Sequence, residues 1–393
     1  MNRVMIIGAS VLQLPAIKKA KELGYYVAVV DYDPDAIGIS YADKYYNVST
    51  IDAEGVVQAA LEFKPDGIMT LATDMPMRSI AAASKACNLP GISYETAVKA
   101  TDKGKMIKAF DEANVEHPWY FIAENREKFD EVLEKITYPC IIKPTDSSGS
   151  RGVVLAENRD MLISAYDYTF NQSREGAVII EEFLQGKEVS VEIMVLENKP
   201  HVLQVTDKLT TGAPHFVEMG HNQPSLLPAG DLEKIKDLAC RAVKAVGIEN
   251  GPAHVEIMLT ENGPEMIELG ARMGGDCITT HLLPLSTGID MVKATLDIAC
   301  GNKPDIRSRL HKGSAIRYFN CPEGIIENIS GVEEAKKIPG VVEIVFVHNK
   351  GEKVGAINSS GDRIGFVIAQ ADTAAEAVNI CNRALNTVKI QVN

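Results

Sequence analysis

The sequence predicts an α/β unit joined to α+β units, and three observations carry that expectation. Near the N-terminus, buried-looking apolar runs alternate with amphipathic stretches, the pattern of a parallel sheet with both faces covered. Beyond residue 100, strand-like runs follow one another through short polar or Gly-rich connections, which predicts antiparallel sheets. At 393 residues the chain also exceeds what one core ordinarily serves, so two or three domains are expected. The changes of character place them at 1–100, 101–304 and 305–393.

In the first unit, "VMII" (4–7) reads as a strand running into Gly8-Ala9-Ser10. A helix follows with Leu14, Ile17, Ala20 and Leu23 on one face and Gly24 as its stop. The strand "YVAVVD" ends at Asp31, and "DGIMTL" (66–71) precedes another helix. A dinucleotide fingerprint would need glycine at 8, 10 and 13, but the chain has Gly8, Ser10 and Gln13. The expectation is a Rossmann-like domain without a bound dinucleotide, although Asp31 stands at about the right distance for a ribose.

The second unit starts with a helix over "TDKGKMIKAFDEANV", capped by Thr101 or Asp102. It continues with the strands "YPCIIKP", "AVIIEEF", "EVSVEIMVLE", "AHVEIML" and "EMIELG". The third holds "VVEIVFV", the turn "NSSGD", "RIGFVIA" and a last helix whose Thr373 and Glu376 form a capping box.

Composition narrows the function. Hydrophobic residues at 46% and charged ones at 24% are the profile of a soluble globular protein. A net charge of −13 argues against nucleic acid as the main partner. Seven scattered cysteines with no C-x-x-C pair fit a reducing compartment, and no apolar stretch reaches membrane-span length. No membrane is expected as a partner, and the expected location is the cytoplasm.

Several polar residues sit where strand patterning expects apolar ones. In "AHVEIMLT" and "EMIELGAR", a hairpin closed by "ENG" with Gly263 left-handed sets Glu256 opposite Glu268 and Met258 opposite Met266. Facing carboxylates repel, so the pair either binds a divalent cation or is an incidental exposed edge. Lys143 ends an apolar strand, and "TDSSGSRGV" follows with backbone N–H groups suited to phosphate oxygens. Taken alone, that Gly/Ser loop reads better as a surface hairpin, and Lys103 at its helix start as a solvated lysine. Glu182, Phe183 and Leu184 offer backbone groups and an apolar wall to a flat base, and Glu188 an acceptor for ribose hydroxyls; an ordinary hairpin is the plainer reading. The segment 210–228 reads as a long loop bearing His215, Glu218 and His221.

In order, the helix-start lysine, "IIKP", "SSGSRGV", "IEEFLQGKE", "HVEI" and "IELGAR" over 103–275 resemble the ATP-grasp superfamily. The likeness is to its carboxylate–amine ligases, related to L-amino-acid ligases and the carbamoyl phosphate synthase large subunit. It implies a pre-ATP-grasp N-terminal domain, an ATP-grasp fold of two α+β subdomains, and a C-terminal α+β domain completing that core. By position it implies that Lys103 and Lys143 contact ATP phosphates under a lid containing Ser147, Ser148, Gly149, Ser150 and Gly152. Glu181, Glu182, Phe183 and Leu184 would meet the base, and Glu188 the ribose. Glu256 and Glu268 would hold Mg²⁺, with Mn²⁺ as an alternative, and Arg272 the transferring phosphoryl group. Glu218, His221, His254, Gly274 and Gly275 would border the substrates. The family often has Asn two residues after the second metal glutamate; here that place is Gly270, which implies water in place of one ligand.

The implied reaction is ATP-dependent conversion of a carboxylate, such as an amino acid, to an acyl phosphate and then to an amide with an amine. Its partners would be those small molecules, with a homodimer left open. The alternatives are carbamate or bicarbonate phosphorylation, an NAD(P)-linked oxidoreductase resting on Gly8 and Asp31, and a nucleotide-binding member without turnover.

Overall fold

The computed structural model describes residues 2–147, 149 and 151–393. The chain opens with β1 (Arg3–Ile7), β2 (Tyr26–Asp31), β3 (Lys44–Asn47) and β4 (Gly67–Met69), a parallel sheet in the order β3-β2-β1-β4. Val4 to Ile7 are fully buried, as a central strand covered on both faces requires. The helix Leu14–Glu22 covers one face with Ala16, Ile17 and Ala20.

The turn after β1 is filled from within. Gly8 has φ +99°, and a Cβ there would lie 2.8 Å from Gln13 Cδ. Gln13 Nε2 donates to the Leu71 carbonyl at 2.7 Å, and the Asp31 carboxylate accepts the Ala9 N–H at 2.7 Å. The groups that suggested a ribose site therefore serve the turn itself.

A second sheet contains β5 (Tyr120–Ala123), β6 (Cys140–Pro144), β7 (Val154–Ala156) and β8 (Val178–Glu182), antiparallel in the order β5-β8-β6-β7. The chain then adds β9 (Lys187–Leu196), β10 (Lys199–Thr210), β11 (Glu218–Gln223), β12 (Gly251–Thr260) and β13 (Gly263–Gly270). It continues through β14 (Gly313–Tyr318), β15 (Gly324–Ser330), β16 (Val341–Phe346), β17 (Lys353–Val354), β18 (Gly365–Ala371) and β19 (Lys389–Val392). Eight of these make one antiparallel sheet, β13-β12-β9-β10-β11-β14-β18-β16, and β17-β15-β19 make a small one. The large sheet runs without a break across residue 305, where the sequence suggested a boundary.

Alternation divides the large sheet into two chemically different faces. Val189, Val191, Ile193, Val205, Val255 and Ile257 pack on the helix Ala229–Val246, whose Ile235, Leu238, Ala242 and Val246 recur at helical spacing. Each large apolar side chain so buried contributes about 1.5–3 kcal/mol before entropy is set against it. The opposite face carries Glu188, Ser190, Glu192, Thr206 and Lys208.

The stretch expected to be a long loop over 210–228 contains β11, which pairs with both β10 and β14. "EMGHNQ" has no β-branched or alternating apolar signature, so nothing local announces a strand; its neighbours supply the pairing. The expected capping box at Thr373 and Glu376 is present, and Asp102 caps the helix Lys103–Glu112.

Candidate nucleotide and acyl-transfer site

Two β-bulges aim the polar face of the large sheet. Glu256 stands opposite Glu268 as expected, but Ile257 then pairs with Met266 and Met258 with Glu265, leaving Ile267 extra. Met266 is thereby turned into the core, so it neither opposes Met258 nor shares the face of Glu268. The turn is also shorter than expected: Gly263, at φ +128°, already belongs to β13 opposite Thr260. In β11, Met219 is the extra residue, which brings Glu218 to the same side as His221.

The facing carboxylates sit among cations. Lys103 Nζ is 3.1 Å from Glu268 Oε2 and donates to the Ser147 carbonyl at 2.7 Å. Lys208, with its side chain 4% exposed, pairs with Glu188, lies 3.3 Å from Glu256 and 3.7 Å from Glu218. Lys143 Nζ, also buried, is 2.5 Å from Glu181 Oε2. Arg272 forks onto Asp74 through Nε at 3.0 Å and Nη2 at 2.8 Å.

Burial opposes ionisation here, and the charges overcome it. Burial pushes the Glu256 carboxyl up, but Lys208, His254 and Arg272 hold it well below the usual range. Glu268 is likewise lowered against its burial, by Lys103 above all, with Lys143 adding to the effect. Glu188 goes the other way: burial and the neighbouring Glu256 raise it despite Lys208. Burial draws the His254 imidazole down, yet Glu192 at 2.7 Å and Glu256 at 3.2 Å bring it up to about 9. His254 thus bridges the two acids through its two ring nitrogens.

The remaining expectations divide. Beside Gly274 the space a side chain would take is filled by His254, since a Cβ there would lie 2.6 Å from His254 Nδ1. Gly275 faces Ala72 at an ordinary distance. The Glu182 N–H donates to the Trp119 carbonyl, and the Phe183 ring lies 6.0 Å from that of Phe216. Leu184 follows in the connector to β9. In the glycine-rich loop, Gly149 and Gly152 have φ of +66° and +78°, while Ser148 and Ser150 fall outside the described residues. His221 Nε2 is 3.5 Å from Asp276 Oδ2, and its Nδ1 is buried without a hydrogen-bond partner.

Sequence reasoning missed Lys208, Asp74 and Arg363, and reached Asp276 only as the end of a turn bordering the acceptor. Arg363 forks onto Asp276 at 2.6 and 2.8 Å and lies over the Tyr318 ring at 3.9 Å. Asp276 and Cys277 both adopt positive φ, +49° and +62°, a conformation non-glycine residues hold only when their surroundings insist. A lysine at strand spacing in "VTDKLT" was the available sign for Lys208; no local pattern marks the others.

The site fits a phosphate-bound divalent cation by its donor set. Among the described residues no three His, Cys, Asp or Glu side chains form a metal-binding group. Two charged carboxylates facing each other, with lysines around them, are what Mg²⁺ uses when phosphate oxygens complete its shell. Among the described residues, buried Thr145 Oγ1 and Glu192 Oε2 also have no hydrogen-bond partner.

Residues 136–280 match the ATP-grasp domain family, and residues 317–393 match the L-amino acid ligase C-terminal domain 2. Alanine–anticapsin ligase of Bacillus subtilis (strain 168) is 28% identical over 319 residues, 75% of this chain and 66% of that protein. The chain spans just under two thirds of the length of the curated relatives first matched. The phosphoribosylglycinamide synthetase structure from Anaerococcus prevotii superposes with TM-score 0.81 at 26% identity, covering 100% of both chains. That of L-amino acid ligase from Bacillus licheniformis gives 0.86 at 23%, covering 100% of this chain and 99% of the other, a likeness of fold. The chain thus contains an ATP-grasp domain, followed by a stretch after residue 317 that resembles the one closing L-amino acid ligases.

Proposed function

We propose that this protein is an ATP- and Mg²⁺-dependent ligase that phosphorylates the carboxylate of an amino acid and joins the resulting acyl group to an amine. The observation that carries the reading is the Glu256–Glu268 pair, ionised and facing on a sheet surface ringed by Lys103, Lys143, Lys208 and Arg272. Residues 1–100 form a Rossmann-like unit, 101–304 the nucleotide-binding and catalytic unit, and 305–393 the unit that extends its sheet.

Glu256 and Glu268 would hold the metal, which when bound neutralises phosphate oxygens. Lys103 and Lys143 would exchange their carboxylate partners for phosphates, with the loop containing Gly149 and Gly152 closing above. Phe183 and Phe216 would flank the base beside Glu182 and Leu184, and Glu188 would face the ribose. The substrate carboxylate oxygen attacks the γ-phosphorus, the bond to the β-bridging oxygen breaks, and ADP leaves. An amine then attacks the acyl carbon, loses a proton and expels phosphate, giving the amide. Arg272 would meet the charge that builds on the transferring phosphoryl group. Glu218, beside Lys208, is the available acceptor for the amine's proton; His221 lies past it toward Asp276.

The test is phosphate release from Mg-ATP with L-amino acids supplied singly and in pairs, beside Glu268→Ala. Release that requires an amino acid and disappears in the variant is the expected result. Release that ignores amino acids, or survives the substitution, would sink the reading.

A further inference from the structure

Position 270 is a glycine on the strand that carries Glu268, and the space above it is occupied from another part of the chain. A Cβ at Gly270 would lie 2.3 Å from Asp74 Oδ1, and 3.0 Å from Arg272 Nε. Asp74 follows β4 in the N-terminal unit, 198 residues away from Arg272, and the pair is bidentate and largely buried, with side chains 21% and 12% exposed. Both Asp74 and Glu268 line one cavity of about 210 Å³, together with Lys103 and Ser147.

The segment around Asp74 is itself held in place. Ala72 adopts φ +61° and lies 3.5 Å from where a Cβ of Gly275 would be. Arg174 Nη2 approaches Met75 Sδ at 2.9 Å, and Arg78 pairs with Glu175. The N-terminal unit is thus tied to both sides of the cavity.

We infer that Asp74 is the positioning residue for Arg272, seated in the space that a side chain at position 270 would fill, so that the N-terminal unit completes the phosphoryl-transfer site. Asp74 engages Nε and one Nη2 proton, while Nη1 reaches the Met273 carbonyl at only 3.3 Å. A guanidinium has five donors in a fixed plane, so fixing one edge aims the other. Without Asp74 the group would swing among its rotamers. The glycine is then a requirement: any side chain at 270 would displace the carboxylate. The role of Arg272 rests on the ligase reading; the contact between Asp74, Gly270 and Arg272 does not.

The test uses the full chain with Asp74→Asn, Asp74→Gly, Gly270→Asn and the double variant Asp74→Gly/Gly270→Asn, in which an amide from the strand supplies the missing acceptor. Asp74→Asn should lower kcat at least tenfold while KM for ATP and the affinity for Mg-ADP stay within about twofold. The double variant should exceed both Gly270→Asn and Asp74→Gly in kcat by tenfold or more; relief of the clash alone would leave it no better than Asp74→Gly. An Asp74→Asn enzyme with undiminished kcat, or a double variant no better than either single, would overturn the proposal. Should the parent protein bind Mg-ADP but release no phosphate with any acid, the ligase reading fails by itself. The clamp is then read in urea unfolding: Asp74→Asn and Arg272→Gln should be non-additive by at least tenfold in the unfolding constant, and additivity would overturn it.

Discussion

Two places in this molecule set an acid beside glycines at the end of strands, and they behave in opposite ways. At the first, Gly8, Gln13 and Asp31 satisfy one another: Gln13 fills the turn and Asp31 accepts the Ala9 N–H. At the second, Glu256 and Glu268 face each other, four cations crowd round, and the nearby Glu192 Oε2 and Thr145 Oγ1 keep unused hydrogen-bonding capacity. The first resembles a ligand site in sequence and is closed. The second resembles an electrostatic mistake and is open. A site shows itself where the fold has not finished its own pairing.

Removing Lys208 would break this contrast most severely. Lys208→Met leaves Glu188, Glu218 and Glu256 sharing a buried face without their common cation, and should cost about 3–5 kcal/mol in chemical unfolding. Glu268→Gln comes next. Phosphate release should fall about 10²–10³-fold, as when one transition-state contact is lost, with thermal stability little changed. At the closed place the same kind of change should be milder: Asp31→Asn removes the charge from its bond to the Ala9 N–H and should cost about 1–2 kcal/mol, leaving Mg-ADP affinity unchanged by calorimetry.

The smallest effect concerns acid. Burial pushes the Asp276 carboxyl up, but Arg363 and His221 bring it far below the usual carboxylate range. Its folded pKa is depressed, so its contribution is fully present above the unfolded value near 4 and is lost as pH falls below that. Urea midpoints of the parent should therefore drop more steeply below about pH 4 than those of Asp276→Asn.

Much of the second place was legible because local rules govern it. Period-two alternation set Glu256 against Glu268 through a turn one residue too long, a difference that the bulge at Ile267 cancels, and a cap at Asp102 located Lys103. The bulges were not legible, since neither Ile267 nor Met219 carries a Gly or Pro signal, and so Met266 was placed on the wrong face. β11 escaped because a strand whose partners supply its order needs no apolar alternation of its own. Asp74 and Arg363 are further from reach. Their partners lie 198 and 87 residues away, and an ion pair between distant segments leaves no periodic trace at either end.

The unbroken large sheet has a consequence in time. β11 ends at residue 223, but the strand that covers its far edge does not begin until residue 313, and Arg363 comes later still. A chain emerging from the ribosome acquires the nucleotide side of its cleft early and holds the far edge of β11 bare until β14 arrives. That interval is when the nascent protein is most exposed to pairing with the wrong neighbour.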